Sequence, residues 1–305
     1  MTQNSLHQRF EPTTEPTQHS LAQRRRLATM ATFSLMTGLL LTGCHVSVTD
    51  VNEHEAGYDT EVTPTLARYD TEFLVRSALV PYSLSATSIE MISDPEAFLT
   101  PSARMASRSH IPVETTSTYL FDSGACDFGG YTSIDAYGET ETYSDSMTFI
   151  TMDVTAEAVD CDTRNWQGYV TLNSRLDFDV MGWYDDYEDR IESLEGSMTG
   201  RLRMRAERSD LNYTNISTEI IELNSTDFRI EARASVWLDD GWRTNSASLT
   251  TTRGVHWYQN DTRPHAGKVR LTAYRGWVDL EFSDYGVTRT DSNGYRDSIS
   301  WSSLL

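Results

Sequence analysis

The stretch "DFRIEARASVWLDDGW", Asp227 to Trp242, decides the fold. Phe228, Ile230, Ala232, Ala234, Val236 and Leu238 alternate with Arg229, Glu231 and Arg233, a period of two that suits a half-buried strand and no helix. Asp239-Asp240-Gly241 then supplies a turn. One apolar and one charged face imply an antiparallel strand that covers a single core, because strands of a parallel sheet are buried on both sides.

The pattern repeats along the chain. In "GYVTLNSRLDFDVMG" Val170, Leu172, Leu176, Phe178 and Val180 share a face, and in "MTGRLRMRAER" Met198, Leu202, Met204 and Ala206 do, with Arg201, Arg203 and Arg205 opposite. Val269/Leu271/Ala273, Val278/Leu280/Phe282 and Ile299/Trp301 continue it, with turn signals at Asn260-Asp261 and Asn293-Gly294. A two-residue type I′ hairpin is expected at the last, because Asn-Gly tolerates φ > 0 at both positions. No helical interval separates these runs, which excludes βαβ units. The reading is all-β with minor α: residues 115–305 form a long antiparallel β-meander, curled into an open or closed barrel-like sheet.

Ahead of it, residues 64–114 read as mainly helical or irregular. Leu66, Tyr69, Phe73 and Ser77 make a stripe from Pro64 to about Val80. Asp94-Pro95-Glu96 marks a second helix start, with a cap, a first-turn proline and an acid at the positive dipole end. These helices would pack on the sheet or plug its mouth.

Further upstream, Arg24, Arg25 and Arg26 precede an uncharged run from Leu27 to Leu41, which ends in Leu41-Thr42-Gly43-Cys44. A basic region, a short apolar region and small residues are the parts of a secretory signal, and the run is too short and too rich in Thr, Ser and Gly for a membrane span. The final tetrapeptide resembles the lipobox of bacterial lipoproteins. The resemblance implies that residues 1–43 are a signal peptide and that Cys44 is the lipidation site, carrying palmitate-like acyl chains. His45, where an Asp would retain the protein in the inner membrane, implies sorting to the outer membrane. Two or more chains, at about 0.8 kcal/mol per buried methylene, anchor stably where one is marginal. Residues 44–63, with Asp50, Glu53, Glu55, Asp59 and Glu61, read as a flexible acidic tether. His45, Glu53, His54 and Glu55 within it are read as solvated, because such a segment does not preset ligand geometry.

The C-terminal "RPHAGKVRLTAYRGWVDLEFSDYGVTRTDSNGYRDSISWSSLL" resembles the end of poorly characterised proteobacterial lipoproteins through Pro264, Gly267, Gly276, Asp291 to Asp297 and Trp301 to Leu304. That resemblance implies a meander and lends no activity.

Composition removes other classes. The formal charge is −20, and losing the signal peptide would discard Arg9 and Arg24 to Arg26 against only Glu11 and Glu15. Nucleic acid is therefore not an expected partner, since its phosphates need clustered cations. Of three cysteines, Cys44 takes lipid, leaving Cys126 and Cys161 as a disulfide in an oxidising compartment.

The chemistry is sparse. His110, His256 and His265 are the only histidines after residue 63, with no Gly-x-Ser-x-Gly elbow, HExxH, Cys-x-x-Cys or phosphate loop. Each histidine reads as isolated, so no catalytic residue, metal site or cofactor is expected. In "WYDDYEDRIESLE" the acids Asp185, Asp186, Glu188 and Asp189 could serve a glycosidase, with Trp183 as a sugar platform, but they read as a solvated loop. The turn Asp291 to Asp297 has the outline of a calcium loop, yet its first position falls on Arg289 and its twelfth on Ser300, so it reads as a hairpin. Trp237, Trp257 and Trp277 are the candidate binding aromatics, with Trp237 and Trp277 on the polar phase of their strands.

The expectation is an outer-membrane lipoprotein, lipid-anchored and facing the periplasm, whose non-enzymatic β domain binds or scaffolds in the envelope. Its partners would be the membrane, the lipoprotein-processing and sorting machinery, and an envelope protein or apolar ligand. The alternatives are a carrier holding a lipid or other apolar ligand in its concave face, and a carbohydrate hydrolase using residues 185–189. An integral outer-membrane barrel would also alternate, but the aromatics form no two girdles.

Overall fold

The computed structural model describes residues 65–93 and 114–305, except 144–146, 166–167, 186, 189, 225, 259–260 and 305. The signal peptide, Cys44, the tether and the helix start at Asp94-Pro95-Glu96 lie outside the described residues.

Twelve strands follow one another: β1 (Glu114–Ala125), β2 (Gly129–Thr142), β3 (Met147–Asn165), β4 (Gly168–Asp185), β5 (Arg190–Ala206), β6 (Asp210–Asn224), β7 (Asp227–Asp239), β8 (Thr244–Tyr258), β9 (Pro264–Ala273), β10 (Gly276–Ser283), β11 (Gly286–Asp291) and β12 (Arg296–Ser300). Their order in the sheet is their order in sequence, and every neighbouring pair is antiparallel. The sheet is an open meander, not a closed barrel. Within β7 the side chains from Phe228 to Leu238 that share the even positions are buried, and Arg229, Glu231 and Arg233 stand on the other face.

Strands of 17 to 19 residues, such as β3, β4 and β5, must bend to wrap one core. Bulges do the bending. Register shifts occur between Ala158 and Cys161, between Gly200 and Leu202, and between Thr214 and Ser217. They adjoin, because Ser174 pairs with both Ala158 and Leu202, and Leu202 pairs with Tyr213. At Gly200 (φ 148°) an added Cβ would lie 2.2 Å from the Arg175 carbonyl oxygen, so the bulge needs glycine there.

A 3₁₀ turn (Thr65–Arg68) and helix α1 (Thr71–Ser93) fill the trough of the sheet. Asp70 caps α1: its Oδ1 accepts from the Glu72 amide at 2.7 Å. The helix packs against β4, β5, β6, β7 and β8, with Phe73, Leu74, Val75, Ala78, Tyr82, Leu84 and Ile89 buried. The expected stripe of Leu66, Tyr69, Phe73 and Ser77 is buried, but its helix is interrupted at Tyr69-Asp70 and does not stop near Val80. It runs on to Ser93 through Pro81. Proline lacks the amide that would bond the carbonyl four residues back, here Ser77. The Tyr213 hydroxyl on β6 donates to that oxygen at 2.7 Å, so the proline leaves no orphan.

The start of this segment is clamped to the far end of the sheet. Arg289 on β11 is buried and donates to the Ala67 and Tyr69 carbonyl oxygens at 2.9 and 2.8 Å and to Thr71 Oγ1 at 3.1 Å. Burial pushes its guanidinium below the ordinary value, against the pull of Asp291. The chain ends in helix α2 (Trp301–Leu304), not in a strand through Trp301; the indole is buried and donates to the Ser283 carbonyl oxygen at 2.7 Å.

The β11–β12 turn also departs from expectation. Type I′ needs φ > 0 at both central residues, but Gly294 (φ 83°) has it and Asn293 does not. Four residues, Ser292 to Tyr295, connect the strands: the Gly294 amide donates to the Asp291 carbonyl oxygen, and Asp291 Oδ1 accepts from the amides of Asn293 and Tyr295 at 2.9 and 3.0 Å. The buried Asp291 carboxylate thus organises the loop from within.

Candidate functional site

Two faces could carry function, and α1 occupies the inner one. The outer face is exposed and uneven. Over the row of bulges lies a groove of about 340 Å³, lined by Glu157, Asn173, Arg175, Arg201, Arg203 and Asn212 among others. Arg175 is tied to Glu157 at 2.8 Å, and Arg203 donates to both Asp210 oxygens at 3.0 and 2.5 Å. The hydrogen bond from Arg203 and the charges of Arg203 and Arg205 hold the Asp210 carboxyl below the usual range, against partial burial.

Near the open edge, the outer face carries aromatic side chains in water. Tyr119 (61% exposed) on β1 faces Tyr137 (43%) on β2, Phe121 (60%) stands two residues along, and Tyr131 (46%) lies further down β2. Phe128 and Tyr169 meet edge to face, with ring centroids 5.1 Å apart, at the end held by the disulfide. Cys126 and Cys161 are bonded there, with Cα atoms 5.4 Å apart, linking the β1–β2 turn to the bulge of β3.

The three candidate tryptophans do not form one surface. Trp237 is 43% exposed on the outer face of β7. Trp277 is half-buried, with the Arg270 guanidinium 4.2 Å above its ring. The same guanidinium donates to both oxygens of Asp279 at 2.6 and 3.0 Å, and Lys268 Nζ lies 2.7 Å from Asp279 Oδ2. Trp257 is a correction: it is buried in the core, two residues on from buried Val255, and its indole donates to the Asp261 carbonyl oxygen at 2.7 Å. Alternation along β8 itself turns it inward.

The acidic loop is used structurally where it is described. Asp185 Oδ1 accepts from the amides of Tyr187 and Glu188, and Arg190 pairs with Glu188 and Glu192 at 3.0 and 2.6 Å. Asp186 and Asp189 lie outside the described residues.

One grouping escapes a reading along the chain. Asp227 opens β7, His256 is near the end of β8 and His265 follows at the start of β9, so three consecutive strands bring them together at one end of the sheet. His256 Nδ1 is 3.2 Å from Asp227 Oδ2, and His265 Nε2 is 3.8 Å from Asp227 Oδ1. The usable signal was the hairpin: two histidines nine residues apart flank its turn, and an acid starts the strand before it.

No protein-family model matches the chain, and comparison with curated proteins and with solved structures finds no similar chain.

Proposed function

We propose that the chain is a lipid-anchored outer-membrane protein, facing the periplasm, whose β domain is a binding or scaffolding module rather than an enzyme. The observation that carries this reading is the division between the two faces. The trough that an apolar cargo would need is filled by α1, while Tyr119, Phe121, Tyr131 and Tyr137 are presented outward beside the open β1 edge. Exposed aromatics at a sheet edge favour association with a partner. Against a hydrolase speaks the use of Asp185 and Glu188 in a turn and an ion pair. The anchor rests on the Leu41-Thr42-Gly43-Cys44 box.

One experiment tests both parts. A photo-crosslinking amino acid replaces Tyr119 in cells fed an alkyne fatty acid, with the still more exposed Tyr274, on the β9–β10 turn, as the control position. A discrete adduct from Tyr119 and not from Tyr274 is expected. Cys44→Ala should abolish fatty-acid labelling and release the chain from the membrane fraction. Equal crosslinking at both positions would sink the binding surface, and labelling that survives Cys44→Ala would sink the anchor.

A further inference from the structure

We propose that Asp227, His256 and His265 form a binding site for a divalent transition metal ion, with zinc as the ion their chemistry suits best. The inference is independent of the lipid anchor and of the aromatic face.

The donor set comes first. Two imidazoles and one carboxylate are borderline ligands, matched to zinc and its first-row neighbours. Calcium takes six to eight oxygens, and magnesium keeps an oxygen shell that is largely water. Neither is served by two nitrogens.

The geometry agrees. Ligand atoms bound at about 2.0–2.1 Å and held at tetrahedral angles sit roughly 3.3 Å apart. His256 Nδ1 is 3.2 Å from Asp227 Oδ2, and His265 Nε2 is 3.8 Å from Asp227 Oδ1. One donor atom from each of the three side chains lies within 4.8 Å of the others. The separations need close by only about half an ångström to about 1.5 Å for a shared ion. The two rings are nearly perpendicular, at 72° with centroids 5.6 Å apart, so their nitrogens address the carboxylate from different sides. Tyr258 stacks on His265 at 3.7 Å and 3°, which fixes the plane of that ring.

An independent observation marks the place as incomplete. Among the described residues, Asp227 Oδ1 is buried and has no hydrogen-bond partner. A buried acceptor left unmatched costs about 1–3 kcal/mol, and buried polar atoms of this kind call for a bound ion or water. His265 Nε2 and Asp227 Oδ1 face each other across 3.8 Å, too far apart for a hydrogen bond between them, and a cation between them would engage both.

The side chains of Asp227, His256 and His265 are 16%, 30% and 15% exposed, so an ion can enter from solvent on the outer face. Three protein ligands leave a further coordination position for water or an outside group, unlike a closed four-ligand structural site.

The test uses the purified full chain, stripped with a chelator, dialysed and titrated calorimetrically with zinc alone. One equivalent per chain is expected, with a dissociation constant at or below the micromolar range and a higher melting temperature when zinc is present. Calcium and magnesium in excess should not compete. His265→Phe keeps the ring that stacks on Tyr258 and removes the ligand, and Asp227→Asn keeps the shape and removes the charge. Each should lower affinity at least tenfold, while circular dichroism without metal stays that of the parent. His110→Ala should leave the titration unchanged. Cobalt provides a readout that protonation does not move: its visible ligand-field band should develop with the parent and not with His265→Phe. Folded parent that takes up no zinc, or zinc uptake that survives both His265→Phe and Asp227→Asn, would overturn the site.

Discussion

The hydroxyl of Tyr213 is where a single atom decides how far an element extends. Pro81 withdraws the donor that the Ser77 carbonyl requires, and an unpaired carbonyl in the core costs about 1–3 kcal/mol. Tyr213 restores the bond from the sheet, so helix and sheet become dependent on each other at this point. Tyr213→Phe is therefore expected to destabilise the domain by about 1–3 kcal/mol, with little change in packing volume. In Pro81→Ala the new amide can bond Ser77 within the helix, and the same Tyr213→Phe change should then cost measurably less. Denaturant unfolding of the four chains gives the coupling. Equal costs in both backgrounds would show that the hydroxyl does not compensate for the proline. No periodicity announces this arrangement. A proline in a helical pattern ordinarily signals an end, so the stripe from Leu66 to Ser77 was legible and the continuation to Ser93 was not, because the residue that permits it is 132 positions away from Pro81 in sequence.

Among elements, the strands were the easiest to read and the loops the hardest, for one physical reason. A strand facing a single core must alternate, and β7 prints that alternation directly. A loop is shaped by whichever side chain folds back onto it, as Asp291 does in the β11–β12 turn, and composition alone does not say which acid will. The metal-ligand grouping lies at the ends of three strands and was legible only in part: the spacing of His256 and His265 marks their hairpin, but it is register that brings Asp227 opposite it. The disulfide was readable from cysteine count, and its place in the sheet predicts its effect. It closes 35 positions and ties the exposed β1–β2 hairpin to β3, a region α1 hardly touches. By loop-closure entropy the bond contributes roughly 3–4 kcal/mol. Reduction, or Cys126→Ser with Cys161→Ser, should lower stability by that order and accelerate amide exchange first in β1 and β2. Exchange rising first in β7 or β8 instead would contradict the assignment of a local staple.

At the scale of the whole molecule, an open sheet has no partner sheet to complete its core, so the helix must supply what is missing. The inner face of β4 to β8 meets α1 along the trough, and Arg289 and Thr71 fasten the start of that segment to β11 and β12. Leu66, Phe73, Leu74, Val75, Leu84 and Ile89 are all buried there. At about 1.5–3 kcal/mol for each fully buried side chain of this size, they contribute on the order of 9 kcal/mol even at the low end. A domain's entire stability is about 5–15 kcal/mol. The strands are therefore not expected to fold cooperatively without α1, however long their hydrogen-bonded ladders. A chain starting at residue 114 should bind a hydrophobic dye, lose near-ultraviolet dichroism while keeping strand content, and associate, because Leu176, Phe178, Ile220 and Ile230 would lose the cover of α1. Adding residues 65–93 as a separate peptide should restore the dichroism and suppress dye binding. Cooperative unfolding of a monomeric 114–305 chain at the parent's melting temperature would show that the sheet closes its own core, and that α1 is an accessory to the fold.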